Sequence, residues 1–530
     1  ERAPAMDRWL AEQCDYLLDY EVHRFNVIRP IAYTNWPTLD PMVHPTEATT
    51  DEEIAIRERL QRPAKLTREY DNDAIGLDAN LVRPTAANPA GWFASYHAYP
   101  YYPDFMLYDP GYNRARSSEG RSNYFGYLAD LKRYHRGIPV VIAEYGVPSS
   151  RGKAHFQPQG WDHGGHDEAG MARVDARLTR EIHQSGAAGG ILFAWIDEWF
   201  KKNWVVADLE IPQENTRQWH NVMDAEQNYG VLGMDPGSRD RVPVLGGDPA
   251  RWISGQVLSR VPDATRAAPG ALIVRSDEAY VYLAVSFPGL RGRGFPWDSS
   301  GIELAFDTHL PRVGQHRIAG VPAELEPGFE FLVRLGGPRN GEIRVLPEYN
   351  PYGGAPDSSG DDLGRFYHRP VTIRDRADGV FDSMYVTINR ARYGRDGTFF
   401  PARGYNRGVL RYGNAVASTL SDWYYDSAAG LLELRIPWML LNVTDPSTRR
   451  VLYETTPGDS FGTATAGEWH IGVVVTDRRG ASVAALPGLD TGWKLSAFNG
   501  WRWDSWATPR YHEHLKPAYE AMRRTWAAMQ

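Results

Sequence analysis

The sequence predicts a multidomain protein of mixed class, α/β followed by all-β, with a closing C-terminal helix. Three observations support this prediction. Residues 1–238 alternate stretches of helical and strand-like spacing, the pattern of a parallel sheet covered by helices. Residues 239–510 contain short alternating strands between turn residues, which is typical of an antiparallel β-sandwich. Residues 511–530 return to helical spacing.

The α/β part begins with a helix over residues 5–25, because Trp9, Leu10, Leu17 and Leu18 fall on one side of it. Strands and helices then follow one another along the chain. The spacing predicts strands within 29–36, 91–102, 138–146 and 188–200, and helices over 123–135 and 168–186.

A Gly/Pro-rich stretch, 234–249, marks the change to the second domain. Apolar and polar residues alternate after it, and helical periodicity is scarce. We expect strands at 279–287, 301–308, 431–438 and 469–477.

Composition excludes several classes of partner. The net charge of −8 over 530 residues is spread along the chain without a basic run, which argues against nucleic acid. There is no apolar run of about 18 residues, so no membrane span is expected. The single cysteine, Cys14, cannot form an intrachain disulfide. The 18 Trp and 29 Tyr residues suit sugar-binding surfaces.

Glu144 is the first candidate for a functional residue. It ends the apolar run "PVVIA", where an ionised carboxylate is rare unless it is paired or reactive. The other predicted strands of the first domain also end in polar and aromatic residues. Since strand ends of a parallel barrel converge, we expect one site formed by Trp36, Tyr96, His97, Tyr99, Glu144, Tyr145, Trp195, Asp197 and Glu198.

The segments "RPIAYTNWPTLDP", "ASYHAYPYY", "IPVVIAEYG" and "GGILFAWIDEW", in this order, resemble the last four strands of a clan A glycoside hydrolase with a family 2-type TIM barrel. The resemblance covers about residues 20–235 and implies the C-terminal half of a (β/α)₈ barrel. It further implies that Glu144 is the catalytic nucleophile and that Trp195 stacks under the sugar. One of Tyr96, His97 and Tyr99 would contact the nucleophile.

The chain departs from this family in one respect. The family's acid/base residue ends strand four, and strands one to four have no counterpart in this sequence. Four parallel strands alone would leave two open edges and an uncovered interior. We therefore expect another polypeptide to supply the N-terminal half of the barrel together with the acid/base.

The second domain resembles the family 9 carbohydrate-binding module through "SDEAYVYLAVSF", "IELAFDT" and "LELRIPWMLLNV". This implies either glycan binding or a packing role beside the barrel. No cofactor and no catalytic metal are expected. The loop "FDTH", 306–309, is a candidate for a structural Ca²⁺ ligand through its single Asp.

The functional hypothesis is a retaining glycoside hydrolase that acts on a β-linked glycan. Two alternatives stay open: an inactive glycan-binding scaffold, and a transglycosylase that uses the same covalent intermediate. Within the site, Trp195 and Trp36 could instead serve as packing residues, and Asp197 and Glu198 as ordinary loop carboxylates. The substrate class suggests an extracellular, periplasmic or cell-surface location.

Overall fold

The computed structural model describes residues 3–64, 66, 76–238, 243, 245–262, 264–322, 324–354, 368–456 and 460–529. It contains a parallel sheet with helices followed by several antiparallel sheets, which confirms the predicted class of α/β plus β. The middle of the predicted linker, residues 239–242, lies outside the described residues.

Four of the helices described below begin at a side chain that accepts from a free backbone N–H group. Thr49 and Glu52 form a reciprocal capping box at the start of one helix, and the Asp167 side chain accepts from Gly170 N at another. The helices are α1 Ala5–Phe25, α2 Thr50–Arg59, α3 Asp104–Tyr108, α4 Pro110–Arg114, α5 Asn123–Tyr134, α6 Glu168–Gln184 and α7 Pro517–Ala527.

The first domain is organised by a four-stranded sheet in the order β1-β2-β5-β8, with all three pairings parallel. β1 and β8 are therefore its edges. The strands of this part of the chain are β1 Thr34–Asn35, β2 Ala94–His97, β3 Arg116–Ser117, β4 Gly120–Arg121, β5 Val140–Tyr145, β6 Lys153–His155, β7 His163–Gly164, β8 Gly189–Leu192 and β9 Leu232–Pro236.

One face of this sheet is packed and the other is open. Val140 and Ile142 of β5 are buried towards the helices, whereas Val141 and Ala143 on the opposite face are only partly buried. Ile191, in the middle of β8, is 60% exposed. Parallel sheets are ordinarily buried on both faces, so the open face is unusual.

The second domain is a sandwich of two antiparallel sheets. One sheet has the order β10-β11-β12-β22-β21 and the other β16-β15-β14-β13-β26-β27. The strands are β10 Gln256–Arg260, β11 Ala271–Ser276, β12 Tyr280–Ser286, β13 Ser300–Asp307, β14 Phe331–Leu335, β15 Gly341–Val345, β16 Asp382–Ser383, β17 Tyr385–Asn389, β18 Arg392–Tyr393, β19 Phe399–Phe400, β20 Arg403–Asn406, β21 Trp423–Asp426, β22 Leu431–Pro437, β23 Val443–Asp445, β24 Arg450–Thr456, β25 Ser460–Thr465, β26 His470–Asp477 and β27 Ser482–Leu486.

Buried ionic contacts join the two domains. Arg151 Nε donates to Asp422 Oδ1 at 2.8 Å, and both side chains are almost completely buried. Glu53 of α2 lies 2.8 Å from Arg390, which follows β17 of the second domain. These contacts hold the carboxyl ends of the parallel strands against the sandwich.

The C-terminal segment differs from the predicted helix over 511–530. Tyr511–Leu515 forms a strand, β28, which pairs antiparallel with β9. The helix α7 begins only at Pro517, because proline fits the first helical turn but cannot continue a helix that started earlier.

Helix α1 turns an apolar face outward. Met6, Trp9, Tyr16, Leu17 and Tyr20 recur at helical spacing, and each is 45–68% exposed. Among the described residues, no helix is long and apolar enough to cross a membrane.

Candidate active site

A cavity of about 1300 Å³ lies between the carboxyl ends of the parallel strands and the sandwich. Both domains line it. The parallel sheet and the loops that follow its strands contribute aromatic, imidazole and acidic groups, and the sandwich contributes a second wall.

Glu144 lies in this cavity because β5 ends beside it. Gly146 follows with φ +147°, and a Cβ at that position would come within 2.8 Å of Phe193 O. Only glycine suits this close approach. The chain therefore turns sharply after Glu144 and Tyr145.

Two neighbours hold one oxygen of the Glu144 carboxylate. Tyr99 OH donates to Oε2 at 3.0 Å, and His97 Nδ1 lies 3.0 Å from the same atom. Oε1 has no hydrogen-bond partner among the described residues. One oxygen is thus fixed by two neighbours, whereas the other has no such contact in the described chain.

The same contacts keep Glu144 ionised. Partial burial opposes ionisation, but the hydrogen bonds from His97 and Tyr99 and the nearby Lys201 charge outweigh it and lower the pKa of Glu144 below its usual range. Tyr99 stays protonated as a donor, since burial and the neighbouring Tyr101 and Glu144 raise its pKa far above the usual value.

Four of the nine predicted site residues line the cavity: Trp36, His97, Tyr99 and Glu144. The Trp36 ring is 44% exposed and lies 5.8 Å from the His97 ring. The expected convergence of strand ends therefore holds for β1, β2 and β5.

Tyr96 and Tyr145 were expected in the site but lie on the other side of the sheet. Tyr96 OH lies 2.9 Å from His135 Nε2, and Tyr145 OH lies 2.7 Å from Thr179 Oγ1. Both are buried against the covering helices. Adjacent residues of a strand point to opposite faces. The pairing of β5 with β8 shifts register between Ile142 and Tyr145, so Tyr145 lies with Ile142 on the helix side while Glu144 faces the cavity.

Trp195, Asp197 and Glu198 also lie outside the cavity lining of the described chain. Trp195 is 60% exposed and its ring lies 6.3 Å from that of Tyr519 in α7. Asp197 is buried in an ion pair with Lys516 at 2.7 Å. Glu198 lies 3.3 Å from Lys201.

Phe193 lines the cavity at the end of β8, where the sequence suggested Trp195. β8 ends at Leu192, and beyond it the backbone of Ala194 and Trp195 bonds to Tyr229, Val231 and Leu232 instead of continuing the sheet. That pairing turns Trp195 outward. Lys201 Nζ lies 4.0 Å from the centre of the Phe193 ring.

The sequence analysis missed a second carboxylate, Glu226, which also lines the cavity. His163 Nε2 lies 3.2 Å from Glu226 Oε1. Burial opposes ionisation, but His163 outweighs it and lowers the pKa of Glu226. Glu226 lies in a short 3-10 helix, Ala225–Asn228, well beyond β8, where no local pattern distinguishes it from other surface carboxylates.

Several aromatic and imidazole groups of the cavity were likewise not singled out. Tyr101 stacks on His163 with ring centres 4.5 Å apart, and Trp204 lies 5.9 Å from His155. From the sandwich come Tyr352, His368 and Phe461. For Tyr101, the sequence did offer a pattern that could have identified it as a cavity residue. It follows Tyr99 in a run of tyrosines after β2.

One group of described residues has the composition of a metal site. Glu168, Asp235 and His514 offer ligand atoms within 4.8 Å of one another. Both nitrogens of His514 already face these carboxylates, at 2.9 and 3.0 Å. The two carboxylates raise the pKa of His514 to about 10, so the group is a charged bridge between β28, β9 and α6.

The Ca²⁺ expected at 306–309 stays a prediction. Asp307 is fully buried, and its Oδ2 lies 2.8 Å from His470 Nδ1. The buried Glu330 accepts from Thr308 N at 2.7 Å. Burial raises the pKa values of both carboxyls, which disfavours their charged forms.

Comparison with known proteins adds no family assignment. Neither the models of known protein families nor the curated proteins contain a match to this chain.

Proposed function

We propose that this protein is a retaining glycoside hydrolase that acts on a β-linked glycan, with Glu144 as nucleophile. The observation that supports this most is the state of the Glu144 carboxylate. One oxygen is held by His97 and Tyr99, the other is free, and the group is ionised inside a cavity rich in aromatic rings.

In the proposed reaction Glu144 Oε1 attacks the anomeric carbon, and the bond from that carbon to the leaving oxygen breaks. The leaving oxygen takes a proton from a general acid. Water then attacks the anomeric carbon and gives a proton to the conjugate base of that acid. The bond from the anomeric carbon to Glu144 Oε1 breaks, and the released carboxylate is again held by His97 and Tyr99. With a sugar hydroxyl in place of water, the same intermediate gives transglycosylation.

The other cavity carboxylates do not suit the role of general acid. An acid of this kind needs a raised pKa. His163 lowers the pKa of Glu226, and His368 lowers that of Asp208. Asp104 is paired with Arg392 at 3.0 Å.

We therefore propose that a further polypeptide supplies the acid/base. It would pair with the free edges of β1 and β8 and cover the open face of the sheet, as the second half of a (β/α)₈ barrel does. The exposed Ile191 and the apolar face of α1 are the surfaces that this polypeptide would cover.

The test is covalent labelling by a dinitrophenyl fluoroglycoside. Its leaving group departs without a proton, so labelling needs the nucleophile but not the acid/base. We expect Glu144 of this chain to carry the label. In the assembly that contains the acid/base, we expect Glu144→Gln to lower turnover to less than about one-thousandth of wild type. Intact-mass and peptide mass spectrometry locate the label, and steady-state kinetics measure the turnover.

Glu119→Gln is the matched control, because Glu119 is a carboxylate that is paired with Arg180 and lies outside the cavity. It should be labelled like wild type. Full turnover by Glu144→Gln would refute the nucleophile assignment. Glycan binding without turnover or labelling would favour an inactive binding scaffold.

A further inference from the structure

A series of aromatic and imidazole rings lines the cavity from the parallel sheet to the sandwich. At its first end, Trp36 packs on His97 beside Glu144. Tyr99, which holds Glu144, lies 5.5 Å from the ring of Tyr101. The series therefore passes directly by the Glu144 carboxylate.

The series continues away from Glu144 through the loops of the first domain. The Tyr101 and His155 rings are stacked at 6.1 Å, and the His155 ring lies 5.9 Å from that of Trp204. Trp204 is 36% exposed and lines the cavity. Its indole is thus part of the cavity wall.

His368 carries the series into the sandwich. Its Nε2 lies 2.9 Å from Val205 O, next to Trp204, and its Nδ1 lies 3.5 Å from Asp208. The rings of Tyr352 and Phe461 lie 5.1 and 5.6 Å from the His368 ring. His368 therefore fixes this wall of the sandwich against the loop that holds Trp204.

We propose that Trp204, His368 and Phe461 form a distal subsite that binds sugar rings several units away from the bond cleaved at Glu144. The substrate is then an oligosaccharide or polysaccharide, and the sandwich forms part of the active-site cleft. This inference rests on the proposed function, because the subsite is called distal relative to the bond that Glu144 would cleave.

Size and chemistry support this assignment. The cavity of about 1300 Å³ exceeds the roughly 300–1000 Å³ of sites for single small ligands. Sugar rings present C–H faces that pack on aromatic rings, and their hydroxyls need polar partners at the edges. Thr455, Ser460 and Gln213 supply such groups beside this series of rings.

The experiment compares binding of short and long β-linked oligosaccharides. An array of these glycans, probed with the full chain, identifies one that binds. Calorimetry then gives the Kd of that glycan and of its monosaccharide for the wild-type protein. The same two Kd values are measured for the variants Phe461→Ala, His368→Ala and Trp204→Ala. The control is Tyr453→Ala, which removes a 39% exposed aromatic ring of β24 that does not line the cavity.

We expect each of the three variants to weaken binding of the long glycan about tenfold relative to the monosaccharide, equivalent to about 1.4 kcal/mol. Tyr453→Ala should keep the wild-type ratio. An unchanged ratio in Phe461→Ala and His368→Ala, with both variants folded by circular dichroism, would overturn the distal subsite. An array on which no glycan binds would overturn it as well.

These outcomes are separable from failure of the proposed function. Suppose that Glu144 is never labelled but the three variants still bind the long glycan more weakly. The proposed hydrolase function is then wrong, and the distal subsite is supported. If labelling succeeds but chain length makes no difference, the nucleophile stands and the subsite falls.

Discussion

The proposed role of Glu144 as nucleophile depends on which oxygen its neighbours hold. His97 and Tyr99 both reach Oε2, so the hydrogen bonds that keep the group ionised do not block Oε1. Donors at one oxygen stabilise the charge before attack and receive the ester carbonyl oxygen after it. The role of Tyr99 can therefore be tested separately from that of the nucleophile.

Tyr99→Phe removes one donor to Glu144. The pKa of Glu144 should rise, because burial then opposes ionisation with less compensation. Activity requires the ionised form, so the acidic limb of the pH–rate profile should move to higher pH, and kcat/KM should fall roughly tenfold. The pH–rate profile is measured with a dinitrophenyl glycoside that lacks the fluorine of the labelling reagent.

Tyr134→Phe is the control for this variant. Tyr134 OH also donates to a carboxylate, Asp78 Oδ2 at 2.8 Å, but it lies away from the cavity. Its pH profile should match wild type. An acidic limb that stays in place in Tyr99→Phe would mean that this hydrogen bond does not set the ionisation of Glu144.

At the scale of elements, the C-terminal strand β28 and helix α7 are joined by a residue that contacts the segments leading away from the site. Lys516, between β28 and α7, donates to Asp197 Oδ1 at 2.7 Å and to Ser149 Oγ at 3.0 Å. Lys516 and Asp197 are each only 3% exposed at the side chain. The chain end thus anchors the segments that follow β5 and β8.

Lys516→Met should destabilise the protein strongly. It leaves the Asp197 carboxylate buried without its cation, which costs about 3–5 kcal/mol in the free energy of unfolding. Urea unfolding measures the loss. The exposed pair of Arg523 and Glu520 on α7 provides the control, and Arg523→Met should unfold at the wild-type midpoint. Equal midpoints for the two variants would show that Lys516 is not an anchor.

At the scale of the whole molecule, two domains form one cleft while one sheet remains open. The ion pairs of Arg151 with Asp422 and of Glu53 with Arg390 explain why the sandwich wall has a fixed position over Glu144. Within the part of the chain that the structure describes, β1 and β8 each have one strand neighbour in the parallel sheet, and the apolar face of α1 is exposed.

We expect the 59.7 kDa chain to occur joined to, or in complex with, a further α/β polypeptide. Native and denaturing mass spectrometry of the protein from its own source measure this. Trp9→Glu together with Leu17→Glu should disrupt the contact, because both side chains lie on the apolar face of α1. Val416→Glu, at a 95% exposed site in the sandwich, should not.

A native mass equal to this chain alone, or to copies of it, would contradict the proposed partner. The inactive scaffold would then be the better hypothesis, since the described cavity carboxylates do not suit a general acid.

The sequence by itself determined the class of fold, the strand that carries Glu144 and its position at the strand's carboxyl end, because spacing and chain direction are local properties. Only the tertiary structure decided which neighbours face the cavity. Backbone pairing with residues 229–232 turns Trp195 away and leaves Phe193 in place, and Glu226, His368 and Phe461 arrive from loops and strands distant in the chain. Many of the surplus aromatics also became core, as the packing of Trp438, Trp469, Trp501 and Trp503 shows. Contacts between segments so far apart depend on how the domains pack, and no local pattern encodes them.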